Sequence, residues 1–149
     1  MRTPARILVA VAPLAVLLGG CIVETTPPGP ITAELVNETS LDVRPGFFTS
    51  DSATDAAGLF VGANVRTDFT DRAFPELRAR ETKTLTLECA DVASIGVNAP
   101  VLFDAVQLIR TDSDDQIFLL RDTGFQCGGT VRFVYYTDGD DFRVRVERL

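Results

Sequence analysis

Residues 141–149 read DFRVRVERL, and this stretch decides the fold class because apolar and polar residues alternate strictly from Phe142 to Glu147. Side chains of a β-strand point alternately to opposite faces, so a period of two predicts a strand with one buried and one solvated face. The same alternation recurs in Ile31–Val36, Thr82–Cys89 and Thr130–Tyr136. The chain from Ile31 onward is therefore predicted to be β-rich.

Four further short segments bring the predicted total to about eight strands: Leu41–Val43, Leu59–Asn64, Val101–Arg110 (bent or bulged, given its length) and Gln116–Arg121. Turn signals separate the strands at Arg44–Gly46, Thr111–Asp115, Cys127–Gly129 and Thr137–Asp141. The helical candidates Ser50–Gly58 and Asp71–Arg80 lack a sustained apolar stripe. We therefore predict a single all-β domain over residues 31–149, an antiparallel β-sandwich, with a small β-barrel as the alternative.

In size and number of strands, this domain is similar to immunoglobulin-like and fibronectin type III-like sandwiches. The chain has no tryptophan to stand beside an immunoglobulin disulfide, and its cysteines are more closely spaced than in that family. The disulfide topology of that family is therefore not transferred to this chain. No named family is identified across residues 31–149.

The composition limits the classes of function. The chain has 149 residues, a hydrophobic fraction of 46% and a formal net charge of −7, which fits one acidic globular domain. An acidic chain is a poor partner for nucleic acid, because phosphate binding needs a basic face. The chain contains no histidine, which excludes Ser-His-Asp, Cys-His and histidine metal sites. No catalytic set and no cofactor are predicted.

The first 21 residues carry the pattern of an export signal. Arg2 and Arg6 flank an apolar run, Ile7–Leu18, whose twelve residues are too few for a membrane-spanning helix of about 20. The run ends in the sequence Leu18-Gly19-Gly20-Cys21, which resembles the lipobox of bacterial lipoprotein signal peptides. The resemblance implies cleavage before Cys21, attachment of a diacylglyceryl group to its thiol and acylation of its amine. An ordinary cleaved signal peptide is the alternative.

The lipobox resemblance implies a domain order and a location. Residues 1–20 are the signal peptide, and residues 21–30 are the lipidated cysteine and a Pro-rich tether. The nine residues Ile22–Pro30 could span roughly 28 Å as an extended polyproline segment. We expect the protein in the bacterial cell envelope, lipid-anchored on the periplasmic or cell-surface side of a membrane. Removal of two arginines with the signal leaves 12 basic and 21 acidic residues, a net charge of −9.

Two cysteines remain once Cys21 carries the lipid. Cys89 and Cys127 are predicted to form a disulfide, because an exported chain leaves the reducing cytosol. The chain-entropy model gives about 4 kcal/mol for closing a loop of this size. A metal-binding pair and a reactive thiol are the alternatives.

Two turns are rich in aspartate, and carboxylate oxygens are ligands for calcium. Neither turn has the EF-hand spacing, and Asp and Gly also favour hairpin tips for backbone reasons. We predict that both turns are hairpin tips and that folding does not require calcium. The candidate calcium ligands are Asp112, Asp114 and Asp115 in the first turn and Asp138, Asp140 and Asp141 in the second.

Several other side chains have a functional and a structural interpretation. Tyr135 and Tyr136 are neighbours in a predicted strand, so one is expected in the core and one at the surface. The sequence Asn37-Glu38-Thr39 matches a glycosylation acceptor but also suits a turn at a strand end. Four arginines are expected to form a basic stripe, which either binds an anionic partner or, in the structural interpretation, pairs with nearby acids: Arg132, Arg143, Arg145 and Arg148.

Together these features predict a non-enzymatic, lipid-anchored envelope protein. Its sandwich is expected to act as a binding or structural module that presents loops or a sheet edge to another macromolecule. The expected partners are the membrane, through Cys21, and an envelope protein or polysaccharide, but not nucleic acid. The alternatives are a small hydrolase that uses two carboxylates and a calcium-stabilised adhesion module.

Overall fold

A computed structural model describes residues 29–149, except Ala73 and Ala105. The predicted signal peptide, Cys21 and the tether up to residue 28 lie outside the described residues. The described chain contains ten strands, one short helix and two 3-10 turns. They are β1 (Ile31–Asn37), β2 (Asp42–Arg44), β3 (Phe47–Ser50), α1 (Ala56–Leu59), a 3-10 turn (Gly62–Asn64), β4 (Thr82–Leu87), a second 3-10 turn (Cys89–Asp91), β5 (Ser94–Asn98), β6 (Val101–Asp104), β7 (Ile109–Asp112), β8 (Gln116–Leu120), β9 (Thr130–Asp138) and β10 (Asp141–Arg148).

One layer is a four-stranded sheet with the strand order β10-β9-β1-β4. Its pairs are antiparallel except for β1 and β9, which run parallel with Thr32 opposite Thr130 and Asn37 opposite Tyr135. The prediction of a purely antiparallel sandwich is wrong at this pair. An alternating pattern reports which face of a strand is buried, but it carries no information about the direction of the neighbouring strand.

The second layer contains two three-stranded sheets of the same order, β2-β6-β7 and β3-β5-β8. Asn98 lies opposite Gln116, and Val101 lies opposite Asp112. The chain advances by three residues from 98 to 101 but by four from 112 to 116, so the second segment contains one extra residue. This extra residue is a β-bulge, and such bulges bend a sheet. The two small sheets therefore continue each other across a bend.

The core lies between the two layers. Phe47 of the bent layer and Phe133 of the four-stranded sheet meet edge to face, with ring centroids 5.7 Å apart. Both side chains are buried, as are Ile31 and Leu35 of β1. The described strands form no closed barrel. The all-β sandwich is confirmed, and the barrel alternative is wrong.

Two predicted strands are wrong in detail. The segment Leu59–Asn64 is the end of α1 followed by a 3-10 turn, because Asp55 accepts a hydrogen bond from the Gly58 amide (2.7 Å) and caps the helix. Val101–Arg110 contains β6 and the first half of β7, joined by a turn. Of the two predicted helices, only the last residues of Ser50–Gly58 become helical.

Two strands were not predicted, β3 and β5. Four of the five β5 residues are buried, so β5 shows no alternation of apolar and polar side chains. The predicted helix Asp71–Arg80 is not helical in the described residues. Instead, Leu77 is fully buried and exchanges two backbone hydrogen bonds with Val43 of β2, of 2.8 and 2.9 Å.

The sandwich has two distinct ends. At one end, the Gly29 carbonyl accepts a hydrogen bond from the Gly128 amide (3.1 Å), and β1 and β9 both start there. We call this the tether end. The nine residues of β9, at about 3.3 Å each, place Asp138 roughly 26 Å away. We call that opposite end the distal end.

Candidate functional site

The two aspartate-rich turns come together at the distal end. Residues of both turns line one cavity of about 180 Å³: Asp112 and Asp114 from the first, and Asp140 and Asp141 from the second. The sequence did not predict this juxtaposition, because the turns are separated along the chain and the fold alone brings them to one place.

The second turn is the hairpin tip that was predicted. β9 and β10 pair antiparallel with Asp138 opposite Asp141, and only Gly139 and Asp140 lie between them. Gly139 has a φ of 61°, which a glycine adopts without the steric cost of a Cβ atom. A tight hairpin is thus the physical reason for the glycine and aspartates of this turn.

The first turn is not a hairpin tip, so that prediction is wrong. β7 pairs with β6 and β8 pairs with β5, and residues 113–115 form the bulge between them. Asp115 reaches from this bulge to the edge strand β10. Its carboxylate accepts hydrogen bonds from the Val144 amide (2.8 Å) and from Nη1 of Arg143 (3.1 Å). Asp115 therefore links the two layers.

The remaining aspartates of the turns are exposed. Asp112 accepts a hydrogen bond from Nε of Arg110 (2.9 Å), and the guanidinium of Arg143 lines the cavity, where its charge opposes a cation. Within residues 29–149, apart from the two omitted positions, no group of three or more His, Cys, Asp or Glu side chains is arranged to hold a metal ion.

The outer face of the four-stranded sheet carries a chain of ion pairs. Arg132 donates to Glu34 (2.7 Å) and lies 3.4 Å from Glu147. Arg145 contacts Glu147 (3.2 Å) and Glu38 (3.2 Å). The hydrogen bond with Glu34 raises the pKa of the Arg132 guanidinium. Two arginines of the predicted basic stripe are thus neutralised by acids, as the pairing interpretation predicts.

Neighbouring polar side chains also have structural roles. Tyr135 is fully buried and Tyr136 lies half-buried beneath Arg145, whose guanidinium is 4.9 Å from the ring centroid. Asn37 is buried, and its amide nitrogen donates to the carbonyls of Leu41 and Arg78, both at 2.8 Å. Its carboxamide therefore holds a turn together, as the structural interpretation predicts.

The four-stranded sheet ends in an open edge at β4. Among the other edge strands, β2 is covered by Leu77, β3 by residues 65 and 66, and β10 in part by Asp115, whereas β7 and most of β8 lack a partner on their outer side among the described residues. Among the described residues, no hydrogen bond reaches the outer backbone groups of β4. The sequence carries only a weak signal for this open edge: the segment TKTLTL contains no proline and a single lysine to protect it.

The tether end carries the cysteine pair and a second cavity. The Cα atoms of Cys89 and Cys127 are 5.6 Å apart, a separation that suits a disulfide. Nearby, a cavity of about 290 Å³ is lined by Phe125, Val131 and Leu149, among others. Asp122 and Arg148, one of the four arginines of the predicted basic stripe, also line this cavity.

Within the described part of the chain, no helix combines the length and apolar character needed to cross a membrane. Compared with known proteins, the chain matches no family model, and no curated protein and no solved structure shows significant similarity to it.

Proposed function

We propose that this chain is a non-enzymatic, lipid-anchored protein of the bacterial cell envelope that presents the open edge of β4 to another macromolecule. In this proposal Cys21 carries the lipid, and Ile22–Pro30 tethers the sandwich to the membrane. The charge, the short apolar run and the sequence Leu18-Gly19-Gly20-Cys21 support the anchor.

The observation that carries the binding role is the open edge. β4 has six residues and, among the described residues, pairs with β1 alone, so its other side offers backbone N–H and C=O groups to which no described residue is hydrogen-bonded. An extended peptide can add to such an edge as a further strand, with main-chain hydrogen bonds supplying the affinity. The edge therefore fits a protein partner in extended conformation better than a polysaccharide.

No specific observation favours the two alternative functions. A hydrolase that uses two carboxylates needs them in one cleft at a set separation. No acidic side chain of the described residues is buried, and those around the distal cavity lie at the surface. Arg143 also lines this cavity, and its positive charge opposes the binding of calcium there.

The anchor is tested by replacing its acceptor. We expect Cys21→Ser to leave the exported protein unlipidated and to move it from the membrane to the soluble fraction, because the lipid is the proposed attachment. Fractionation of cells that produce either form, followed by immunodetection, measures how the protein is distributed between the membrane and soluble fractions. A variant that still sediments entirely with membranes would show that the lipobox interpretation is wrong.

The edge is tested in native envelopes. A photo-crosslinking residue at Thr84, in the middle of β4, should capture a partner because this side chain is exposed beside the open backbone groups. The same residue at Thr32, on the same outer face but in the interior strand β1, serves as the control. Equal capture at both positions, or none at Thr84, would contradict a binding role for the β4 edge.

A further inference from the structure

We propose that the macromolecule at the β4 edge is a second copy of this chain, and that the two β4 strands pair antiparallel about a two-fold axis. The inference rests on the proposed function, because it assigns one partner to the edge described there. The result would be a continuous sheet of eight strands across the two copies.

The backbone of β4 is oriented for such pairing. The Glu81 carbonyl accepts a hydrogen bond from the Asn37 amide (2.8 Å). Because successive residues of a strand direct their backbone groups to opposite sides, this bond determines which β4 residues face β1 and which face the open side. Lys83, Leu85 and Leu87 then direct their backbone groups to β1, and the three threonines between and before them direct theirs outward. These outward residues are Thr82, Thr84 and Thr86.

The three outward residues of one copy can pair with the same three residues of a second copy. An isologous dimer requires each residue i that contacts residue j to be matched by j contacting i. When Thr84 lies on the two-fold axis, Thr82 of each copy lies opposite Thr86 of the other. All three side chains are exposed in the isolated chain. Cross-strand threonine pairs of this kind stabilise a sheet through packing and hydroxyl hydrogen bonds.

The charges at the two ends of β4 also match a second copy. Arg80 lies two residues before β4, and Glu88 directly follows it. Both side chains are exposed, and neither forms an ion pair with a described residue. Arg80 lies in the turn before β4 and has a φ of 61°. Antiparallel pairing about Thr84 brings the end of β4 that carries this turn in one copy beside the end that carries Glu88 in the other, twice per dimer. A parallel arrangement would instead place like charges together.

The tether allows both copies to remain anchored. Antiparallel pairing separates the two starting points of β1 by roughly 20 Å along the strands, at about 3.4 Å per residue. Gly29 is hydrogen-bonded to the sandwich, and the seven residues from Ile22 to Pro28 span roughly 22 Å when extended, so both anchors reach one membrane. The two anchors become equivalent when the two-fold axis is perpendicular to that membrane.

The first experiment tests proximity in native membranes. The full chain carrying Thr84→Cys is treated with a short bis-maleimide and compared with Thr32→Cys, whose side chain lies on the same outer face but in an interior strand. We expect a crosslinked species of twice the chain mass for Thr84→Cys and at least tenfold less for Thr32→Cys. A product of any other mass, or no product, would overturn self-pairing.

The second experiment tests the charge pairing. Arg80→Glu and Glu88→Arg should each weaken self-association by roughly tenfold or more, because each places like charges together at both ends of the interface. The double variant should restore it. Sedimentation of the exported Cys21→Ser form measures association without the anchor. Failure of the double variant to restore association would contradict the proposal, whereas a failure of lipidation alone would contradict only the proposed anchor.

Discussion

At the scale of the residue, the hydrogen bonds of buried polar groups determine how much the removal of a side chain destabilises the fold. The hydroxyl of Tyr135 donates a hydrogen bond to the Pro45 carbonyl (3.0 Å) and joins the two layers through the core. The buried hydroxyl of Ser94, by contrast, has no hydrogen-bond partner among the described residues. A buried polar group that loses its partner costs far more free energy than a matched pair contributes, so these two hydroxyls should respond differently to removal.

We expect Tyr135→Phe to lower the free energy of unfolding at pH 8 by about 1–2 kcal/mol, because the Pro45 carbonyl loses its donor. Ser94→Ala is the matched control and should not destabilise, since it removes a hydroxyl that makes no bond. Urea unfolding of the three proteins measures the difference. Equal losses in the two variants would contradict the role of the Tyr135 hydrogen bond.

Alkaline pH provides a second measurement on the same pair of proteins. Burial raises the pKa of the Tyr135 phenol well above its usual value near 10, so the folded protein keeps a proton that the unfolded chain loses. The stabilisation is present below pH 10 and is lost as the pH rises toward the raised pKa. The difference in free energy of unfolding between the wild type and Tyr135→Phe should therefore decrease by roughly 1.4 kcal/mol between pH 9 and pH 11. An unchanged difference would contradict this sign.

At the scale of the element, the bulge at residues 113–115 does two things. It bends the layer formed by β5–β8 and β6–β7, and it aims Asp115 at the neighbouring sheet. Edge strands expose free N–H groups, and native proteins cover such groups with side chains or bulges. The aspartate that resembles a calcium ligand in the sequence thus protects the edge of β10.

We expect Asp115→Ala to lower the free energy of unfolding by about 1–2 kcal/mol, because the buried Val144 amide and Arg143 both lose their acceptor. Asp114→Ala is the matched control: its side chain is exposed, and the change should stay within about 0.5 kcal/mol. Thermal melting in the presence of a chelator measures both variants free of any metal effect. Equal melting temperatures of the two variants would show that Asp115 has no structural role.

At the scale of the whole molecule, two contacts hold the layers at opposite ends. Asp115 links the layers at the distal end. At the tether end, the cysteine pair links two of the connections that cross between the layers, since Cys89 lies between β4 and β5 and Cys127 lies between β8 and β9. The intervening loop is long, with a sequence separation of 38. A cross-link across such a loop removes much conformational freedom from the unfolded chain, so it should contribute strongly to stability.

We expect Cys89 and Cys127 to be disulfide-bonded in the exported protein. Thiol labelling of the unfolded, unreduced Cys21→Ser form should detect no free cysteine. Reduction should lower the free energy of unfolding by about 4 kcal/mol, the value that the chain-entropy model gives for this loop. Cys89→Ala with Cys127→Ala controls for the reductant and should show no further loss when it is added. Two labelled thiols in the unreduced protein would contradict the prediction.

Local sequence patterns were enough to predict the local structure of this protein. Alternation in Phe142–Glu147 and Thr82–Cys89 predicted exposed and buried strand faces, and the turn residues around Gly139 predicted the β9–β10 hairpin. These features depend on side-chain periodicity and backbone preference within a few residues. Only the tertiary structure decided the parallel pairing of β1 with β9, the buried strand β5, the role of Asp115 and the open edge of β4. Each of these depends on contacts between segments that are distant along the chain, and no local pattern encodes which segments will meet.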